Sequence, residues 1–153
     1  MQIDRTDRRI LTELQRDGSL ANAALAAGVG LSESACLRRV KLLEKAGIIE
    51  RYTAVLNAVK IGITVSFLVR ITLKGQTDRD LGAFEQAVHR VPEVIECVLT
   101  TGEADYMLRV VARGAGDFER LHSKVLTKLP GVARVDSSLV LRGVVRQGAL
   151  PLE

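Results

Sequence analysis

The second half of the chain contains one pattern twice. The segment Arg70–Gly75 recurs in similar form as Arg109–Gly114, and Pro92-Glu93-Val94 recurs as Pro130-Gly131-Val132, with an amphipathic helical stretch between the two parts of each copy. A strand, helix, strand unit repeated twice gives the order β-α-β-β-α-β, which predicts a four-stranded antiparallel sheet with both helices on one face. Two copies are too few for a solenoid. The pattern therefore predicts a ferredoxin-like domain over residues 65–153.

Alternation and turn residues set the expected limits of the four strands. Apolar residues occupy every second position from Val65 to Leu73, which is typical of a strand that buries one face. The next two strands are expected over Val94–Thr101 and Asp105–Ala112, joined by a hairpin turn at Gly102-Glu103-Ala104. The last strand is expected to run from Val132 to Val145.

Apolar residues also occur on the sheet face that the helices would leave uncovered. In the third strand both Met107 and Val111 on one face and Leu108 and Val110 on the other are apolar. A sheet with two apolar faces exposes a large patch unless another subunit covers it. We therefore expect a homo-oligomer.

The first fifty residues contain three short helical patterns. The spacing of apolar residues predicts a helix over residues 4–16, and a short Ala-rich stretch follows at 20–27. A glycine-containing turn then leads to Ser32, which caps a third helix that ends at Gly47. This is the spacing of a helix-turn-helix, so we expect a DNA-binding domain over residues 1–50.

The third helix carries a polar and mostly basic ridge. The ridge consists of Ser34, Arg38, Lys41 and Lys45. These positions share one helix face, opposite the apolar stripe. A solvated surface with flexible lysines is the alternative explanation of any isolated basic helix, and the turn and the cap that precede this one favour DNA binding.

Each polar residue of this region has an expected role on double-stranded DNA. Ser34 and Arg38 are expected to approach base edges, because the N-terminal end of such a helix enters the major groove. Contacts to phosphates are expected from Arg39, Lys41 and Arg51. The cap residue Ser32 is also expected at the DNA interface. Beside it, Glu33 is expected either to cap the helix dipole or to accept from a cytosine amino group. Residues 51–64 are expected to form a wing strand and a linker, because residues 48–56 alternate like a strand. The expected fold is thus α+β, a winged helix-turn-helix followed by the ferredoxin-like domain.

Length and charge agree with a small binding protein. The chain has 153 residues and a net charge of +4, and residues 1–60 contain ten Lys or Arg against seven Asp or Glu. A local basic excess suggests a polyanionic partner. The longest uncharged run near the middle, 61–69, is far shorter than the roughly 20 residues of a membrane helix. The charged start and the presence of only two cysteines suggest the cytoplasm, without a membrane anchor.

No motif for catalysis or metal binding is visible. His89 and His122 lie in helical patterns without nearby Cys or acidic clusters at ligand spacing. The pair Ser137-Ser138 has no His-Asp partner motif, and neither Gly-x-Gly sequence completes a phosphate loop. We therefore expect no enzyme activity, no metal and no cofactor.

Several segments together resemble the leucine-responsive/asparagine regulator (Lrp/AsnC) family of prokaryotic transcription factors. In the first domain the resemblance lies in 4–11, 29–32, 36–40, 43–49 and 52–57, and in the second it lies in Glu96-Cys97, Gly102-Glu103-Ala104-Asp105-Tyr106-Met107-Leu108 and Leu129-Pro130-Gly131-Val132. It covers almost the whole chain. The resemblance implies a sequence-specific DNA-binding regulator that forms homodimers, often assembled into octamers, and that responds to a small molecule, usually an amino acid.

The resemblance also implies an effector site between subunits, near the turn that joins the second and third strands. Carried over by position, the site would be lined by Thr101, Gly102, Asp105 and Tyr106, with Val135 and Ser137 from a neighbouring subunit. Backbone N–H groups at a glycine turn can hold a carboxylate, and Asp105 can accept from an ammonium group. Alternatively, Gly102 only permits the hairpin and Tyr106 packs at an interface.

Two positions depart from the family pattern. Members commonly have an acidic residue and then an aromatic after the glycine, and often a His after Glu-Cys, whereas this chain has Glu103-Ala104 and Val98. These departures leave the identity of the effector open. The alternative function is an amino-acid-sensing regulatory subunit of a metabolic enzyme complex that does not bind DNA.

Overall fold

The computed structural model describes residues 2–145 and 149–152. These form two compact units, one of residues 1–55 with 145–153 and the other of residues 56–144. Residues 149–152 thus group with the first unit, although they fall in the sequence range expected for the second domain. Of the expected domain ranges, residues 1, 146–148 and 153 lie outside the described part of the chain.

Three helices make up the regular structure of the N-terminal unit. They are α1 (Arg5–Arg16), α2 (Asn22–Val29) and α3 (Glu33–Lys45). Their apolar sides meet in a small core in which Ile10, Cys36 and Leu43 are fully buried. Complete burial of a large apolar side chain stabilises a fold by about 1.5–3 kcal/mol, so these contacts hold the three helices together.

The wing strand expected over residues 48–56 is not formed. Residues 50–57 carry no helix or strand, and Tyr52, Val55 and Leu56 are largely exposed. A strand requires a neighbouring backbone for its hydrogen bonds. Among the described residues no segment pairs with this one, so alternation alone does not produce a strand here.

The C-terminal unit has the expected β-α-β-β-α-β order. Its elements are β1 (Val65–Leu73), α4 (Asp78–Val88), β2 (Val94–Leu99), β3 (Tyr106–Ala112), α5 (Ala115–Lys124) and β4 (Val132–Leu139). The antiparallel sheet has the strand order β2-β3-β1-β4. Both helices pack against one sheet face, where Phe84 of α4 and Leu121 of α5 are buried over Val69 and Ile71 of β1. This is the predicted ferredoxin-like fold.

The last strand is shorter than expected. Leu139 of β4 lies opposite Phe67, and the Val140 N–H donates to the Ser66 carbonyl oxygen at 2.9 Å, near the start of β1. Beyond this point only Val65, the first residue of β1, remains for β4 to pair with. The strand therefore ends at Leu139 although the apolar pattern continues to Val145.

No helix in the described part of the chain is long and apolar enough to cross a membrane. In residues 2–145 and 149–152 there is also no cluster of three His, Cys, Asp or Glu side chains that could hold a metal ion.

Candidate DNA-binding surface and effector cleft

The turn between α2 and α3 is held by local hydrogen bonds. Gly30 ends α2 with φ = 72°, in the left-handed region that favours glycine. The Ser32 hydroxyl caps α3 by accepting from the Ala35 N–H at 3.3 Å. The Asn22 side-chain amide donates to the Glu33 carbonyl oxygen at 2.9 Å, which joins the first residues of the two helices. These contacts fix the direction in which α3 presents its N-terminal end.

The ridge predicted on α3 is exposed and carries unneutralised positive charge. Its members Ser34, Arg38, Lys41 and Lys45 are all exposed. Within the described residues, no carboxylate oxygen lies within 4.0 Å of the charged groups of Arg38, Lys41 or Lys45. Arg51, which follows the helix, is exposed as well. The surface therefore offers cations that a phosphate backbone can bind without first breaking an ion pair.

One ridge residue was missed by sequence reasoning. Leu37 follows Ser34 by three positions and precedes Lys41 by four, so it lies on the same face of α3, and it is 43% exposed. An apolar side chain at this place can contact a thymine methyl group in the major groove. The helical spacing that places Ser34 and Lys41 on this face is the sequence signal that indicates Leu37 as well.

Arg39 is directed toward α1 instead of along the ridge. Its Nη1 lies 2.7 Å from Asp4 Oδ2 and 2.8 Å from Asp7 Oδ1. Hydrogen bonds to Asp7 and Asp4 raise the pKa of the Arg39 guanidinium above its usual value, and a backbone hydrogen bond from Asp7 together with Arg39 lowers the pKa of Asp4. Because Asp7 is 2% exposed, this ion pair is a partly buried brace between α1 and α3.

The β2–β3 hairpin forms at the predicted place. Gly102 has φ = 118°, a conformation that residues with a Cβ adopt only under strain. The hairpin is closed by the Thr100 N–H, which donates to the Asp105 carbonyl oxygen at 2.8 Å, and by the Thr100 hydroxyl, which donates to the Ala104 carbonyl oxygen at 3.0 Å. Gly102 therefore has the structural role that the hairpin requires, and Thr101 beside it is exposed.

Asp105 supports this hairpin from beneath. Its Oδ2 accepts from the Leu73 N–H at 2.7 Å and its Oδ1 accepts from the Gln76 side-chain amide at 2.6 Å. The residue is 8% exposed. Both carboxylate oxygens thus connect the hairpin to the end of β1, which leaves Asp105 a positioning role rather than an open binding position.

Tyr106 and Val135 belong to the core of the C-terminal unit. Tyr106 is 1% exposed, its ring centroid lies 4.5 Å from that of Phe84, and its hydroxyl donates to Glu85 Oε1 at 2.8 Å. Burial, followed by the contact with Glu85, raises the pKa of the Tyr106 hydroxyl. Val135 packs against the same core, and Ser137, two positions further along β4, is exposed.

A cleft of about 340 Å³ lies beside the hairpin, on the sheet face that the helices do not cover. It is lined by Arg70, Thr72, Thr100, Thr101, Glu103, Ala104, Met107, Arg134 and Asp136. The register explains this lining, because Arg70 lies opposite Met107 and Asp136 in the neighbouring strands. Of the expected effector residues only Thr101 lines the cleft. Gly102 lies in the turn and Asp105 is buried beneath it. The remaining three lie in strands β3 and β4, where adjacent residues line the cleft instead: Tyr106, Val135 and Ser137.

The charged groups of the cleft are balanced in sign but not all paired. Arg134 Nε lies 2.9 Å from Asp136 Oδ2. In the described ranges, no carboxylate oxygen lies within 4.0 Å of the Arg70 guanidinium, and no Lys or Arg nitrogen lies that close to the Glu103 carboxylate. The cleft therefore holds one cation and one anion that a bound molecule can satisfy.

Two family models match the two units. Residues 3–50 match a model described as winged helix-turn-helix DNA-binding, and residues 66–150 match a model described as the Lrp/AsnC ligand binding domain. The chain belongs to the Lrp/AsnC family. Like other Lrp/AsnC proteins it is a DNA-binding transcriptional regulator whose second domain binds a small-molecule effector. This confirms the predicted fold and function and displaces the alternative of a sensor subunit that does not bind DNA.

Similar Lrp/AsnC proteins match over almost the whole chain. The Bkd operon transcriptional regulator of Pseudomonas aeruginosa is 38% identical, with 99% of this chain and 99% of that protein covered. The leucine-responsive regulatory protein of Escherichia coli is 36% identical, with 99% and 92% covered. A transcriptional regulator of Neisseria meningitidis, solved in complex with L-methionine, superposes with a TM-score of 0.94 at 35% identity, covering 99% of this chain and 97% of that one.

Proposed function

We propose that this regulator reads its operator with the exposed ridge of α3. The observation that carries this proposal is the set of unneutralised cations at the N-terminal half and along one face of a helix whose start is fixed by a capped turn. Arg38 and Ser34 lie nearest that end and are assigned to base edges, with Leu37 beside them. Lys41, Lys45 and Arg51 are assigned to phosphates.

Two substitutions distinguish base reading from phosphate binding. Arg38→Ala should weaken operator binding by about 1–3 kcal/mol and relax preference at one base pair, because a bidentate contact to guanine is lost. Lys41→Ala should weaken binding to all sequences alike. It should also make the negative slope of log K against log salt shallower by about 0.9. Fluorescence anisotropy over a salt series, on the DNA upstream of the protein's own gene and on scrambled DNA, measures both effects.

The matched control for these variants is Arg16→Ala. Arg16 is an exposed arginine of α1 that pairs with Glu13 at 3.0 Å. It lies outside the ridge, so its loss should leave operator affinity within a factor of two. Equal, sequence-independent losses in all three variants would contradict the docking model, because the charge of the unit as a whole would then account for binding.

We further propose that the effector is an α-amino acid with a neutral side chain, bound in the cleft beside the hairpin. The Arg70 guanidinium would hold its carboxylate and Glu103 its ammonium group, while Met107 and Ala104 offer apolar contact to the side chain. A zwitterion without further charge matches the balanced charges of the cleft. That one relative is named leucine-responsive and another was solved with L-methionine supports this class of ligand.

Arg70→Gln tests the anchor of the carboxylate. A charge-assisted hydrogen bond contributes about 1.5–3 kcal/mol, so calorimetric titration should show at least tenfold weaker binding of the preferred amino acid. Arg109→Gln is the matched control, because Arg109 lies on the same sheet face but outside the cleft, 3.4 Å from Glu96. Equal affinity of Arg70→Gln and wild type would place the carboxylate elsewhere, at the backbone of the Gly102 turn.

We also propose that the open sheet face is a subunit interface in a homodimer, with further assembly to an octamer. Leu68 is 39% and Val98 43% exposed on this face, beside the half-buried Met107 and Val111. A partner there would bring its own chain close to the cleft. Val135 and Ser137, expected from a neighbouring subunit, lie opposite the core residues Ile71 and Val69 and thus on the side of the sheet that the helices cover. Because the ligand is chromosomal DNA, we expect the assembly in the cytoplasm. Sedimentation of Val98→Glu against wild type tests the interface, and an unchanged mass would contradict it.

A further inference from the structure

The C-terminal end of the described chain lies on the DNA-binding unit. The Leu150 N–H donates to Gln15 Oε1 at 2.6 Å, and the Gln15 side-chain amide donates back to the Leu150 carbonyl oxygen at 3.3 Å. Leu152 is half-buried and packs against the apolar core of this unit. We call residues 149–152 the C-terminal strap.

The contacts of the strap suit an attachment that opens and closes. Both hydrogen bonds are exposed to water, the Leu150 side chain is 74% exposed, and a single half-buried leucine supplies the apolar contact. Exposed hydrogen bonds exchange readily with water and contribute little net free energy. The strap can therefore leave α1 while the three-helix core, built from Ile10, Cys36 and Leu43, stays folded.

The path of the chain gives this contact a consequence. Residues 56–144, including the cleft, form one unit, and the chain enters that unit from the DNA-binding unit and leaves it toward the same DNA-binding unit. The chain thus passes between the units twice, once before residue 56 and once after residue 144. The second passage is held on α1 only while the strap is docked on Gln15. A docked and a released strap are two discrete states of one element, which is what coupling between two sites requires.

We propose that the C-terminal strap transmits effector binding to the DNA-binding unit, with the effector favouring one of its two states. The inference rests on the proposed effector binding, since an effector must bind the ferredoxin-like unit with different affinity in the two states. Releasing the strap should then abolish the response to effector while leaving each of the two binding activities in place.

Two variants release the strap by different means. Gln15→Met removes both hydrogen bonds while keeping a long, helix-compatible side chain, and Leu152→Ala removes the apolar contact. Leu141→Ala is the matched control, because Leu141 is another apolar residue after β4 but is 90% exposed. The full-length protein is used throughout, and sedimentation checks that its assembly is unchanged.

The measured quantity is the ratio of operator Kd without and with effector, for each of the twenty standard amino acids tested singly. Coupling ratios in allosteric proteins are about 5–150, and we expect the wild type and Leu141→Ala to fall in that range for at least one amino acid. Gln15→Met and Leu152→Ala should give ratios within about twofold of one. Titration of the same amino acid in the absence of DNA should give the wild-type Kd in Leu141→Ala. The two strap variants should still bind it, with a Kd shifted by no more than the wild-type coupling ratio, because they bind in the released state alone.

Each contrary result has a distinct meaning. Wild-type ratios in both strap variants would overturn the strap as the transmitter while leaving the proposed function intact. A ratio of one in the wild type with every amino acid would overturn the proposed effector class and the strap with it. Loss of coupling accompanied by a change of assembly would overturn the inference, because the C-terminal strap would then act through contacts between subunits. Hydrogen exchange gives an effector-free check, since the Leu150 amide should exchange more slowly in wild type than in Gln15→Met.

Discussion

The brace formed by Arg39 allows a sharp test, because the sequence and the structure assign this residue different roles. Arg39→Met keeps the aliphatic stem and the helix propensity but removes the guanidinium. The Asp7 carboxylate, 2% exposed, then loses its cation and keeps only the hydrogen bond from the Asp4 N–H at 3.2 Å. Asp4 stays in contact with water, so its loss of the cation matters less.

The expected cost follows from the burial of Asp7. Removing one partner of a fully buried ion pair costs about 3–5 kcal/mol. Here the Arg39 side chain is 30% exposed and Asp7 retains a hydrogen bond, so the expected loss is about 2 kcal/mol of unfolding free energy. For a unit of this size, that lowers Tm by roughly 10 °C.

Denaturant unfolding followed by circular dichroism measures this loss. A double-mutant cycle of Arg39→Met with Asp7→Asn isolates the pair, and Arg38→Met serves as the exposed neighbour without an ion pair. We expect Arg38→Met to leave stability within about 0.5 kcal/mol of wild type. If Arg39→Met were equally harmless and instead lowered the salt slope of DNA binding by about 0.9, the residue would contact phosphate and the brace would be refuted.

Three further predictions concern the Asp4 cap, the Gly102 turn and the Tyr106–Glu85 hydrogen bond. A backbone hydrogen bond from Asp7 keeps the pKa of Asp4 below its usual 3.8, so the stability from ionised Asp4 is complete above that pH and is lost as the pH falls through the lowered value. Asp4→Asn should therefore flatten the acid end of the stability curve measured by urea titration at several pH values, and an unchanged slope would exclude this role. Gly102→Ala should destabilise the C-terminal unit by about 1–3 kcal/mol in thermal unfolding, because φ = 118° strains any residue with a Cβ; wild-type stability would show that the turn relaxes freely. Tyr106→Phe should cost about 1 kcal/mol through the lost bond to Glu85 without changing effector affinity, and a weaker effector with unchanged stability would place the hydroxyl in the site.

Periodicity predicted correctly what depends on one element alone. The spacing of Arg38 and Lys41 placed them on the exposed face of α3, and alternation placed Val69 and Ile71 in the sheet core. Tyr106 has the same parity as Leu108 in β3, so alternation alone would have assigned it to the core. The resemblance to the family predicted Tyr106 in the effector site, whereas the alternation within β3 indicates the buried position that the structure has.

Contacts between distant segments could not be predicted in the same way. Arg39 differs from Arg38 by one step around the helix, and only the position of the start of α1 decides that it meets Asp4 and Asp7. The lining of the cleft depends on strand register across β1, β3 and β4, which sets Arg70 beside Asp136. The return of the chain to α1 after β4 leaves no periodic trace, because four residues are too few to show one.

The Asp4 brace and the Leu152 contact also bear on how the protein should be handled. An affinity tag or fluorophore fused before Met1 would sit three residues from the Asp4 carboxylate, which holds Arg39 of α3, and one fused after Glu153 would extend a segment that lies on α1. Either fusion would alter the quantity that a DNA-binding assay is meant to report. Labels are better placed on the exposed surface of α5, for example at Glu119, which belongs to the other unit and contacts neither Asp4 nor the strap.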